Sequence, residues 1–352
     1  MNIAKRVLYK LFPQKGSYLP YVKHKMGGVV MTRVPILYGD EDLAIAERVM
    51  HAYHKALKDE NRKDVGDIWD LIQERHGDFM EVRNTPSYLS SYLSNMHNKS
   101  ITFGVSSATN LKDTGMFTKD QLIILAEALG VLPYNVDGVM EYDSPALVKA
   151  IEVKMGINLA LPNVDGGIDK LSIGDGYYVH RDFWSAYLAW LIKDYKSVAE
   201  IGGGIGKVAI YAKRLGVKNY AIYDLPIINL VQAWYLIKCG MNVVLYGETR
   251  VEEAIEILPY WTFVRRQPDV VLNADSFPEM DASIVTDYLK KIKGMNVPLI
   301  SVNAEEEGIY GNGRKHLVVG NIAREVGLYR ISRQPFWFSR NYAHEVYNAS
   351  NR

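Results

Sequence analysis

From residue 40 to about 195 the apolar positions recur at helical spacing. Leu43, Ala46, Val49, Met50, Tyr53, Ala56 and Leu57 form one stripe. Thr85 followed by Pro86 predicts an N-cap and first helical residue, opening a helix through Tyr88, Leu89, Tyr92, Leu93 and Met96. Thr118, with Gln121 three residues on, predicts a capping box for a helix that carries Leu122, Leu125, Ala126 and Leu129 and stops at Gly130. Ser144 and Pro145 start another, ending near Gly156. The first half of the chain is therefore expected to be mostly α.

At about Ser197 the period changes. Short apolar runs at 198–201, 220–223, 243–246, 269–273 and 299–303 alternate with amphipathic stretches such as 207–215 and 227–239. Strands alternating with helices predict a parallel sheet. Two further runs, 329–334 and 344–347, are separated by too few residues for a crossover helix, so they are expected to pair antiparallel. The expected fold is α/β: a Rossmann-like sheet of seven strands, five parallel plus a terminal antiparallel pair, behind an α-helical N-terminal domain.

Composition supports an ordinary packed protein. The chain has 352 residues, 48% hydrophobic and 23% charged, which suggests two domains or one with a large extension and excludes disorder. Its 41 basic and 40 acidic residues nearly cancel, which argues against a wholly basic nucleic-acid binder. The balance is uneven: residues 1–39 carry Lys5, Arg6, Lys10, Lys15, Lys23, Lys25 and Arg33 with no acid. Within that arm, Ile3, Val7, Leu8, Leu11 and Phe12 fall at helical spacing, which suits either an interfacial helix on anionic lipid or a helix docked on protein. A single cysteine, Cys239, excludes an intrachain disulfide, and no run is apolar enough to span a bilayer. The basic residues near the start also interrupt any secretory h-region, so a cytoplasmic location is expected.

The most informative stretch is Val198-Ala199-Glu200-Ile201-Gly202-Gly203-Gly204-Ile205-Gly206, an apolar strand running into a glycine-rich turn that opens a helix. Glycines there let the backbone take unusual dihedrals and let a ligand approach closely. Two nucleotide-binding readings compete. Gly204-x-Gly206-x-x-Ala209, with Asp224 about 20 residues beyond the turn, satisfies a dinucleotide fingerprint. Glu200 separates the two, because a carboxylate at the strand end repels a pyrophosphate and attracts an ammonium or sulfonium group.

Glu200-x-Gly202-x-Gly204-x-Gly206 resembles the first motif of class I S-adenosylmethionine-dependent methyltransferases, with Asp224 where that family places the acid that holds both ribose hydroxyls. Further strings narrow the resemblance to a bacterial sugar O-methyltransferase family. These are Tyr223-Asp224-Leu225-Pro226, Gln232-Ala233-Trp234-Tyr235-Leu236, Asn273-Ala274-Asp275-Ser276-Phe277-Pro278-Glu279-Met280 and Ser301-Val302-Asn303-Ala304-Glu305. The resemblance covers residues 170–350 well and is loose over the helical half. It implies S-adenosylmethionine as cofactor, held by Glu200, Gly202, Gly203, Gly204, Gly206, Asp224, Leu225, Asn273 and Asp275. The implied organisation is a basic arm at 1–39, a helical domain at 40–170 that shapes the acceptor pocket or mediates dimerisation, and a cofactor-binding domain at 171–352.

Methyl transfer needs an acceptor oxygen in line with the sulfonium and a base for its proton. His180, Asp275 and Glu279 are the catalytic candidates, His180 or Glu279 as base and Asp275 nearer the cofactor or orienting. Tyr178, Arg181 and His344 are candidates for the acceptor side. Each has a plainer reading: His180 as a helix-start residue, Asp275-Ser276 as a cap, Glu279 as first-turn charge, His344 and Glu345 as strand residues. Asp275, Asn303 and Glu305 offer oxygen ligands for Mg²⁺, a variant not favoured because nothing fixes their geometry. Nucleic acid is not expected as a substrate: residues 126–131 resemble a helix-turn-helix opening, but 134–141 contain no Lys or Arg. The expected reaction is methylation of a sugar hydroxyl on a glycan, glycolipid precursor or glycosylated metabolite. The alternatives are a non-sugar small-molecule acceptor and a non-catalytic binding protein of the same fold. A carbohydrate-containing acceptor, a homodimer and peripheral membrane contact through the basic arm are the partners considered.

Overall fold

A computed structural model of the chain describes residues 23–27, 29–33, 41–62, 86, 89, 111–132, 139–164, 169–265, 267–305 and 316–350. The predicted helix at residues 1–12, and all but Pro86 and Leu89 of the one opening at Thr85, lie outside these residues.

In chain order the elements are β1 (Lys23–Gly27), β2 (Val29–Arg33), α1 (Glu41–Leu57), α2 (Leu111–Ala128), β3 (Val139–Asp143), α3 (Ser144–Met155), β4 (Asp169–Ile173), β5 (Gly176–Tyr178) and α4 (His180–Ile192). There follow β6 (Ser197–Ile201), α5 (Lys207–Arg214), β7 (Asn219–Asp224), α6 (Pro226–Lys238), β8 (Val243–Leu245), β9 (Ile255–Pro259) and β10 (Val270–Ala274). The last are α7 (Ala282–Met295), β11 (Leu299–Ala304), α8 (Val319–Val326), β12 (Tyr329–Pro335) and β13 (Tyr342–Asn348).

The chain folds as an α/β protein around a mostly parallel sheet in the order β12-β13-β11-β10-β6-β7-β9-β8. The sheet has eight strands rather than the expected seven. The strand missed is β9, which pairs with β7 and displaces β8 to the edge. Only turns connect β8 to β9, so the alternation of strand and helix that signals the other parallel strands is absent there. The terminal pair is as expected, with β13 antiparallel to both β11 and β12.

The period-two pattern buries both faces of the sheet. Val198, Tyr220, Ile222, Val270 and Leu272 join the core shared with α1 to α6, whereas Ala199, Ile201, Val271 and Leu299 join the one shared with α7 and α8. A parallel sheet covered on both faces has its strand ends as the only open ground. The chain leaves β6 toward β7 on one side and later returns to β10 on the other. Between these two strands the loops diverge, and a crevice opens beyond their carboxyl ends.

The first half contains strands that helical periodicity did not reveal. β1 pairs with β3, and β2, β4 and β5 form a three-stranded antiparallel sheet. β4 and β5 are joined at Gly174-Asp175, with Gly174 at φ 57°. The expected capping box at Thr118 is not present: α2 begins at Leu111, and the buried Gln121 instead donates from Nε2 to the Phe338 carbonyl at 2.8 Å. For α3 the cap is Asp143, one residue before the expected Ser144, and its carboxylate accepts from the Ala146 N–H at 3.2 Å. No helix among the described residues is long and apolar enough to cross a membrane.

α4 and α5 are tied together by one carboxylate. Asp182 accepts from the Val179 N–H at 2.7 Å, which closes the first turn of α4, and from Lys207 Nζ at 2.6 Å, at the start of α5. Both partners of this ion pair are buried, 5% and 6% exposed. The prediction is that Asp182→Ala, which strands the Lys207 ammonium, lowers the unfolding free energy by about 3–5 kcal/mol in urea denaturation. A loss below about 1 kcal/mol would show that the pair does not hold α4 to the turn.

Candidate functional site

The crevice beyond β6 and β10 holds about 1200 Å³ of space between atoms, its open mouth included. Most of its wall comes from four segments: the turn after β6, the end of β7, the turn after β10 and one face of α4. The expected glycine turn is the floor. Gly202 at φ 73° and Gly206 at φ 88° lie in the left-handed region, where a side chain is strained. A Cβ on Gly202 would fall 2.2 Å from Ser276 Oγ, and one on Gly206 would fall 2.9 Å from Leu236 Cδ1. The turn can therefore lie against the β10 loop on one side and α6 on the other only because these residues are glycines.

Four carboxylates line the crevice: Glu200, Asp224, Asp275 and Glu279. Glu200 is 2% exposed, and one of its oxygens accepts from the Tyr220 hydroxyl at 2.8 Å. Burial pushes its carboxyl up to about 7; the Tyr220 bond opposes the rise and the charge of Asp224 adds to it. Asp224, at the end of β7, accepts from the Leu225 N–H and from Gln232 Nε2, each at 2.8 Å. Enclosure likewise pushes Asp224 up to about 7, against hydrogen bonds from Leu225, Gln232 and the Gly203 and Gly204 N–H groups. None of these partners is a cation. Asp224 thus has oxygens fixed in direction by neutral donors, and the pair is short of positive charge.

The third carboxylate, Asp275, is handled differently. It follows β10 in the left-handed region at φ 65°, a conformation that Asp tolerates better than most residues. Its N–H bonds the Val302 carbonyl at 3.0 Å. One carboxylate oxygen accepts from Arg181 Nη2 at 2.8 Å and the other from the Tyr342 hydroxyl. The Arg181 guanidinium lies 4.0 Å from the centre of the Trp184 ring, which holds it over the crevice. Glu279, one 3₁₀ turn beyond Asp275, also lines the wall.

Of the residues singled out in the sequence, the structure brings Arg181, Glu200, Gly202, Gly203, Gly204, Asp224, Leu225, Asp275 and Glu279 to one cavity. Others lie elsewhere. Asn273 is fully buried and ties strand ends together, donating to the Ile201 carbonyl at 3.0 Å and to Ser276 Oγ at 2.6 Å. His180 begins α4 and is not part of the cavity wall. Tyr178 is in the core, stacked on Phe183 with ring centres 5.2 Å apart. His344 lies on β13 with Nδ1 3.0 Å from Gln334 Nε2. Of the oxygen groups considered for Mg²⁺, Asp275 is held by Arg181 and Tyr342 and Glu305 pairs with Arg333, while Asn303 donates from Nδ2 to Asn273 Oδ1 at 2.9 Å. Among the described residues no three carboxylate, imidazole or thiol groups converge as a metal site.

Sequence reasoning missed the apolar half of the wall. Trp184, Ser185 and Leu188 line it together with Arg181, at positions i, i+3, i+4 and i+7 of α4. That spacing was visible but reads equally well as a core stripe. Tyr260, Met280, Ile284 and Tyr288 complete the wall, from elements far apart in sequence.

No protein-family model matches the chain, and no curated protein matches it in sequence. Among solved structures it is similar to the mitomycin 7-O-methyltransferase MmcR, at 12% identity, 87% of this chain and 94% of that one, and a TM-score of 0.38. It is also similar to human N-acetylserotonin methyltransferase in complex with SAM, at 11% identity over 78% and 68% of the two chains, TM-score 0.32. A third is the PH0226 protein from Pyrococcus horikoshii OT3, at 13% identity over 48% and 90%, TM-score 0.36. At such identities and TM-scores, the chain's function has to be read from its own residues.

The raised carboxyls have a consequence for stability. Unfolded, they titrate near ~4; folded, they hold their protons to about 7, so the folded state binds more protons between these values. Their contribution is present at low pH and is lost as pH rises through about 7. Thermal unfolding should therefore show stability falling between pH 5 and pH 8, and Glu200→Gln, which has no proton to lose, should flatten that fall. An unchanged slope in the variant would contradict the burial of Glu200 as an acid.

Proposed function

We propose that the chain is an S-adenosylmethionine-dependent O-methyltransferase. The observation that carries this reading is the pair Glu200 and Asp224, two enclosed carboxylates on one cavity wall whose hydrogen-bond partners are all neutral. An anionic pyrophosphate would worsen their repulsion, whereas a ligand with ammonium and sulfonium charge would relieve it. The donor set suits such a ligand in other respects. Asp224 presents oriented acceptor oxygens for a vicinal diol, and Leu225, Ile228, Met280, Ile284 and Tyr288 offer apolar surface for a flat ring.

When bound, S-adenosylmethionine supplies a methyl carbon that an acceptor oxygen attacks as the carbon–sulfur bond breaks and the sulfur keeps the electron pair. The chain's part is to position the acceptor and remove its proton. Asp275 has both oxygens committed, to Arg181 and Tyr342, which suits it to orient the acceptor hydroxyl. Glu279, on the same wall, is the base that takes the proton. Of the two bases considered from the sequence, Glu279 rather than His180 is adjacent to the cavity. A sugar hydroxyl is the proposed acceptor, on the strength of the sequence strings at 223–226, 232–236, 273–280 and 301–305.

Calorimetric titration with S-adenosylmethionine should show binding by the wild type and at least tenfold weaker binding by Asp224→Ala. NADH binding in its place would overturn the assignment. Glu279→Gln should keep cofactor affinity and lose about 10²–10⁴-fold in kcat. His180→Ala should turn over at close to the wild-type rate, and the reverse ranking of these two variants would move the base to His180.

A further inference from the structure

We propose that the cleft under the β12–β13 turn is where the acceptor docks, and that it takes a carboxylate or phosphate group carried by the acceptor. This deepens the methyltransferase reading and rests on it for the word acceptor.

The cleft is a second concavity of about 1020 Å³, its mouth included, lined by polar side chains among them Glu305, Arg333, Gln334, Arg340, Asn341 and Tyr342. A hydrogen bond ties its wall to that of the cofactor cavity. Tyr342 lines the cleft and donates its hydroxyl to Asp275, which lines the cavity. A molecule seated in the cleft is therefore separated by one side chain, Tyr342, from the carboxylate that orients the reacting hydroxyl.

Among the described residues the charges in the cleft do not cancel. Glu305 is met in a two-point contact by Arg333, whose Nη1 also reaches Glu345 at 2.8 Å. Glu345 is further paired with Arg330 at 2.8 Å. Arg340 is left with no carboxylate or hydrogen-bond partner among the described residues, and it is half-buried rather than extended into solvent. A planar guanidinium in this state is suited to bidentate contact with a carboxylate or phosphate.

The turn that carries Arg340 is fixed in place before any ligand arrives. Phe336 and Phe338 are 1% and 0% exposed, and Phe338 stacks on Tyr187 of α4 with ring centres 5.0 Å apart. The Phe336 N–H bonds the Tyr342 carbonyl at 2.9 Å, and the Phe338 carbonyl accepts from Gln121 of α2. Asn341 takes the left-handed conformation at φ 64°, with its carbonyl accepting from the Glu305 N–H at 2.7 Å. Little ordering remains to be done when an anion binds, which favours recognition.

The test is equilibrium binding to the full chain at constant ionic strength, with glucose 1-phosphate, glucuronate and methyl glucoside as probes. At least one anionic probe should bind tenfold or more tightly than methyl glucoside, and Arg340→Gln should erase the difference. Which anion does so tells phosphate from carboxylate, and either supports the proposal. Equal binding of all three probes, or an anion preference that survives Arg340→Gln, would overturn it. Wild-type titration with S-adenosylmethionine separates the two claims. Cofactor binding without anion preference removes the cleft alone, and an Arg340-dependent preference without cofactor binding removes the methyltransferase reading.

Discussion

Two enclosed carboxylates with no cation among their described hydrogen-bond partners set the terms for this molecule. Glu200 and Asp224 stand at the ends of neighbouring strands, each raised to about 7 by enclosure. Such a pair is unfavourable in a folded core unless something compensates, and the compensation visible in the chain is neutral: a tyrosine hydroxyl, a glutamine amide and the backbone N–H groups of the glycine turn. Hydrogen bonds orient the oxygens without cancelling the charge. The remaining deficit is what a cationic ligand would fill.

Much of the surrounding structure can be understood as maintaining that arrangement. Gly202 and Gly206 let the turn after β6 lie against Ser276 and Leu236, so that its N–H groups reach Asp224. The Asp182–Lys207 pair fixes α5 at the far end of the same turn and keeps the Lys207 ammonium engaged. Arg181, the other cation on the wall, is drawn to Asp275 and stacked on Trp184. Positive charge is thus directed to the side where Asp275, Tyr342 and the β12–β13 turn meet, and withheld from the Glu200–Asp224 side. The asymmetry gives the two halves of the crevice opposite preferences.

The Glu200–Asp224 half of the crevice was legible in the sequence because its groups are local: Glu200, the glycines and Asp224 sit at strand ends, where an apolar run breaks into polar or glycine residues. The terminal antiparallel pair was legible because 335–343 is too short to cross the sheet. β9 was not, since Ile255–Pro259 follows β8 without a helix between them, and β4 and β5 were hidden in a region of helical periodicity. Asn273 and Tyr178 show a different limit. Each is next to the site in sequence, but Asn273 turns inward to tie strand ends, and Tyr178 packs on Phe183 instead of facing the cavity. Side-chain direction at a strand end is decided by tertiary contacts, and Tyr342's bond to Asp275 spans 67 residues that no local pattern connects.

On the proposed function, the wall formed by Glu200 and Asp224 is built for a cation. The most direct measurement is the proton change on binding S-adenosylmethionine near pH 7, obtained by calorimetry in buffers of differing ionisation enthalpy. Groups that titrate at about 7 are half protonated there, so a cationic ligand should expel up to about one proton from the pair. Binding should release protons, with the release disappearing above pH 8.5 and shrinking in Glu200→Gln. Proton uptake on binding, or release that is the same in the variant, would contradict that reading.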